Sequence, residues 1–213
     1  MKAKFATMVL GALLFAAAPV FATGVNFDFS TPAGPLGVSQ TYTSNSVTIT
    51  AYGFSGCSGG ITVALSNCSR NDLYGKTSGG DENGLGLTGS SDFEIGTQEM
   101  VQLDLTNLIK LGATSVTLQI GSVQPGEGYD IWEGSSLGSS GSLVITNGQL
   151  DETPFTVNLN SKNPFLGVSA YSSDVLLSSL AAPTPEPGTL ALFGTGLLAL
   201  GFGLRRRFAN HSI

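Results

Sequence analysis

The sequence predicts an all-β fold, a two-sheet antiparallel sandwich of jelly-roll type. Three observations carry that expectation. Apolar residues recur at every second position in short runs, clusters of Gly, Ser, Asn and Pro separate those runs, and outside the chain's two apolar ends only Thr106–Leu111 reads as helical. The alternating sets are Val25, Phe27 and Phe29; Val47, Ile49 and Ala51; Ile61, Val63 and Leu65; Val101, Leu103 and Leu105; Val116, Leu118 and Ile120. Each set lines one face of a strand. Further strands are expected at 129–133, 143–146, 155–159, 166–170 and 175–180, about ten in all. Strands with one apolar face must bury it against a second layer, which favours a sandwich, with a closed barrel as the alternative. The spacing of Leu108 and Leu111 fits one helical turn.

The two ends read differently from the middle. Lys2 and Lys4 precede the apolar stretch Phe5–Ala18, and Val20, Phe21 and Ala22 supply small residues at a cleavage site, so residues 1–22 are expected to be a signal peptide. An uncleaved N-terminal helix is the alternative. At the other end the apolar run 190–204 is closed by Arg205, Arg206 and Arg207. Fifteen helical residues rise about 22 Å against roughly 30 Å of hydrocarbon, so this is a short transmembrane helix whose arginine stems reach toward the interface. The arginines place residues 205–213 in the cytoplasm as a basic tail and the body of the chain outside. Residues 181–189 form a proline-rich stalk, leaving 23–180 as the ectodomain.

At the junction stand Pro185, Glu186 and Pro187, then the apolar run, then the three arginines. This order resembles the PEP-CTERM sorting signal of surface proteins from exopolysaccharide-producing Gram-negative bacteria. The resemblance implies recognition by an exosortase, a membrane-embedded cysteine protease or transpeptidase that cuts near the triplet and releases or transfers the ectodomain. The chain would then be its substrate. It would be held in the membrane by its C-terminal helix before processing, and would finish at the cell surface or in the extracellular matrix in a structural or adhesive role. An ordinary single-span anchor with a proline-rich stalk is the plainer alternative.

Between residues 23 and 184 four basic residues (Arg70, Lys76, Lys110, Lys162) face fourteen acidic ones, a formal charge of −10 where the whole chain carries −6. Such a surface repels nucleic-acid phosphates and suits cations or neutral glycans such as exopolysaccharide. Cys57 and Cys68, exported into an oxidising compartment, are expected to form a disulfide.

The sole histidine, His211, lies beyond the arginines, so histidine-dependent triads and histidine-bearing zinc sites are not expected in the ectodomain, and the chain reads as a non-enzyme. A carboxylate glycosidase using Glu127 and Glu133 is the least favoured alternative. No cofactor is certain, and calcium is the one candidate. Asp81, Glu82 and Asn83 among glycines, followed by Asp92 and Glu94, gather the oxygen ligands that calcium takes, although the spacing is not that of an EF-hand. A calcium-stabilised carbohydrate-binding module is therefore the second reading, with Tyr74 and Trp132 as candidate glycan contacts.

Overall fold

A computed structural model of the chain describes residues 24–57, 68–80, 82–183 and Gly196. The expected signal peptide, the strand at Ile61–Leu65, Asp81, the sorting triplet, the 190–204 span apart from Gly196, and the arginine tail all lie outside the described residues. No helix among the described residues is long and apolar enough to cross a membrane.

Gly24–Thr184 forms one compact unit. In chain order its strands are β1 (Val25–Asp28), β2 (Gly34–Gly37), β3 (Ser39–Ser44), β4 (Val47–Ser55), β5 (Ser69–Asn71), β6 (Leu73–Thr77), β7 (Asn83–Leu87), β8 (Ile95–Gly96) and β9 (Met100–Asp104). After the short helix α1 (Thr106–Lys110) come β10 (Ser115–Gly121), β11 (Gly128–Gly134), β12 (Ser142–Gly148), β13 (Phe155–Asn158), β14 (Phe165–Ser172) and β15 (Asp174–Ala182). They make two antiparallel sheets. One runs β13-β10-β15-β7-β6-β2, with β1 and β8 also paired to β15, and the other runs β12-β11-β14-β9-β4-β3, with β5 paired to β4. Hairpins such as β3–β4, β6–β7 and β11–β12 stay within one sheet, whereas from β12 to β15 the chain passes to the other sheet at every connection, as befits the two layers of a sandwich.

The alternation read from the sequence is the alternation of burial. Along β4, Val47, Ile49 and Ala51 point inward while Thr48, Thr50 and Tyr52 are only partly buried, and β10 does the same with Val116, Leu118 and Ile120. These residues join Phe27, Phe29, Leu85, Leu103, Val168 and Leu180 in one core between the sheets. β15 is the spine of its sheet. One edge pairs with β10, and along the other edge Asp174–Val175 meets β8, Leu177 meets β7 and Ser179–Ala182 meets β1. Ala181 and Ala182, read from the sequence as the start of the stalk, therefore complete this strand, because their backbone groups find partners on β1.

A second, smaller cluster holds Phe54, Cys57, Met100 and Trp132, with Tyr52 and Cys68 against it. Cys57 and Cys68 are bonded to each other, as their shared oxidising compartment led one to expect.

Candidate functional site

The acids expected to bind calcium do not sit together in one loop. Asn83–Leu87, rich in glycine and read as part of a calcium loop, is strand β7, paired with β6 along its length and with β15 at Leu85. Asn83 closes the turn before it, its side-chain amide donating to the Gly80 carbonyl at 2.8 Å and its side-chain oxygen accepting from the Gly79 amide at 3.2 Å. Glu82 pairs with Lys76 at 2.6 Å. Both side chains are engaged within the β6–β7 hairpin.

Asp92 and Glu94 belong instead to the segment that folds back over β7. The Ser90 hydroxyl fixes this segment, accepting from the Glu94 amide at 2.9 Å and donating to the Glu94 carbonyl at 3.0 Å. Phe93 takes φ 65°, a left-handed conformation unusual for a bulky side chain. Its ring stacks on Tyr74, centroids 4.1 Å apart and planes 17° from parallel. The segment lies so close to β7 that a Cβ at Gly86 would overlap the Phe93 carbonyl oxygen and reach 2.8 Å from Glu94 Cα. Those neighbours are backbone and cannot rotate away. Gly86→Ala is expected to cost about 1–3 kcal/mol as an overpacking change and to unstack Phe93 from Tyr74, measurable as a lower denaturation midpoint and an altered near-UV tyrosine signal.

Glu94 is 2% exposed. Its Oε1 accepts from the Lys76 ammonium at 2.5 Å and from the Ser122 hydroxyl at 3.0 Å, while its Oε2, also buried, meets no donor. Lys76 is itself buried; burial disfavours its charge, but hydrogen bonds to Glu82 and Glu94 outweigh that and raise its pKa. Asp174, the first residue of β15, pairs through the backbone with Gly96 and so reaches the same place. Carboxylate oxygens of Asp92, Glu94 and Asp174 all lie within 4.8 Å of one another. The sequence reading missed Asp174, for it stands about eighty residues downstream and only the β8–β15 pairing brings it in.

The acids perturb one another. Burial, then the Asp92 charge, then hydrogen bonding and charge from Glu94 and the more distant Glu127 push the Asp174 carboxyl up to about 7. Burial also opposes charge on Asp92, but the Ser90 hydroxyl, the backbone amides of Asp92 and Glu94, and Lys76 together hold its pKa below the usual value. Glu99, buried nearby, is raised by burial, a rise that a hydrogen bond from the Gly96 amide opposes and the Asp92 charge supports. The folded state thus keeps a proton on Asp174 that the unfolded chain has lost. With chelator present, stability is expected to fall as pH rises from about 4 to 7, and Asp174→Asn to remove most of that slope, as followed by denaturant midpoints across the range.

Of the two candidate glycan contacts, Tyr74 is half-buried beside a partly exposed Phe93. Trp132 is 7% exposed in the smaller core, its indole NH donating to Ser169 Oγ at 3.0 Å, so it offers no face to a sugar. Glu127 precedes β11 and Glu133 lies near its far end. Six residues of extended chain separate them by roughly 20 Å, more than either carboxylate geometry of glycoside hydrolysis.

No curated protein and no solved structure matches the chain. A family model does match one segment, which begins one residue after β15 ends: residues 183–207 carry the PEP-CTERM protein-sorting motif.

Proposed function

We propose that the chain is an exosortase substrate whose β-sandwich is displayed at the cell surface or in the extracellular polysaccharide matrix as a structural or adhesive, non-catalytic component. The observation that carries this is the position of the sorting motif, 183–207, directly after the strand that forms the spine of one sheet. Ala182 is held by β1, so a cut near Pro185–Pro187 removes membrane anchorage without removing a strand. The reading includes the signal peptide at 1–22 and a transient anchor at 190–204. Intact mass of the mature protein tests it. The expected species begins at Thr23 and lacks the span and the arginines, and replacement of Pro185, Glu186 and Pro187 by alanine leaves the unprocessed form in the membrane. A mature surface protein that still contains residues 188–213 would overturn the sorting reading.

The second reading, a carbohydrate-binding module, is supported by the Tyr74–Phe93 pair, a partly exposed aromatic surface beside an acidic cluster. Retention on the producing organism's exopolysaccharide, lost in Tyr74→Ala, is the expected result, and equal elution of the two proteins would remove this reading.

A further inference from the structure

We infer that Asp92, Glu94 and Asp174 form a calcium site that clasps the segment after β7 to the start of β15. Two independent observations point to a cation. The first is geometric: three carboxylates from two distant parts of the chain, Asp92 and Glu94 from one segment and Asp174 from the start of β15, bring oxygens within 4.8 Å of one another, where among the described residues the one ion pair is that of Glu94 with the Lys76 ammonium, which Glu82 shares. With Asp174 ionised, four carboxylates against one ammonium leave three negative charges, and a divalent ion that displaces the Asp174 proton reduces that to one.

The second is the orphaned Oε2 of Glu94. Oε1 is committed to Lys76 and Ser122, and Oε2 is buried without a donor, a state that costs free energy unless something else meets that oxygen. A cation held between Glu94, Asp174 and Asp92 meets it. Asp92 is exposed, so the outer side of the site stays open to water, which completes a coordination shell of six to eight oxygens. Calcium suits this asymmetric set of one buried, one partly buried and one exposed carboxylate better than magnesium, which demands near-octahedral geometry and gives up its waters reluctantly. The ligands are only in part those the local sequence offers: Asp92 and Glu94 belong to the set, Glu82 and Asn83 are engaged elsewhere, and Asp174 is the new member.

The test uses full-length protein in detergent, stripped with chelator and titrated with calcium chloride, with calorimetry and thermal unfolding as readouts. The expected Kd lies on the order of 10⁻⁴ to 10⁻³ M, the range of extracellular modules. At calcium a hundredfold above Kd, Tm should rise by about 5 °C or more. Asp92→Asn, a change at an exposed position, should weaken binding at least tenfold, as should Asp174→Asn. The competing account is a proton shared between Asp174 and Glu94. On that account Asp174→Asn, whose amide donates to Oε2, raises the metal-free Tm, and the unaltered protein ignores calcium. Absence of a calcium response in the unaltered protein, or an undiminished response in both variants, would overturn the site, and an equal response to magnesium would overturn its assignment to calcium. None of these outcomes touches the sorting reading, which mass spectrometry decides separately.

Discussion

Glu94→Ala is expected to destabilise the sandwich by about 3–5 kcal/mol, among the largest effects of any single change in it. The substitution strips Lys76 of its most buried partner and leaves a buried ammonium facing only Glu82, whose side chain is 36% exposed. It also leaves the Ser122 hydroxyl without its acceptor. Lys76→Met should cost a similar amount for the opposite reason, because the Glu94 carboxylate then stays buried without its cation. The informative protein is the double variant Lys76→Met, Glu94→Leu. Removing both charges and filling the space with apolar side chains is close to neutral when a buried pair merely offsets its own desolvation. Most of the loss in the Lys76→Met and Glu94→Leu single variants should therefore return, and chemical denaturation of all three in chelator measures the coupling. If the double variant instead lost the sum of the two single effects, the pair would not be acting as a unit.

The pair also shows where reading the chain alone succeeds and where it stops. Strands that present one apolar face are legible, because period-two alternation in β4 and β10 reports burial directly, whereas β9 alternates in sequence yet is buried on both faces, Gln102 included. Strands that do not alternate in this way were passed over. β3 is Ser-Gln-Thr-Tyr-Thr-Ser and buries only Tyr42, and β2 contains a proline and two glycines. The glycines of β7 are also the residues of loops and hide the strand from a sequence pattern, yet Gly86 is there so that Phe93 and Glu94 can lie against it. The candidate site was half legible for the same reason. Asp92 and Glu94 are near each other in the chain, but their third partner comes from a pairing of β8 with β15 that no local pattern encodes. Trp132 lay among acids in the sequence, and only the register of β11 against β14, which sets it opposite Gly167 and within reach of Ser169, shows that it faces inward.

Removing the disulfide is the other change expected to have a large effect. Cys57 and Cys68 are 11 residues apart, and cross-linking a loop of that length lowers the entropy of the unfolded chain by an amount worth about 3 kcal/mol. Cys57 is 1% exposed and packs with Phe54, Met100 and Trp132, so Cys57→Ala also thins the smaller core. The double variant Cys57→Ala, Cys68→Ala should lower stability by about 3 kcal/mol, and by more if the core relaxes poorly around the missing sulfur. Because Trp132 belongs to that cluster, its fluorescence reports the change where it occurs. Reduction of the unaltered protein, which breaks the link but keeps both sulfurs, separates the two contributions. If reduction alone reproduces the double variant's loss, the bridge acts through the unfolded chain, and any excess in the variant measures the packing of Cys57 against its neighbours.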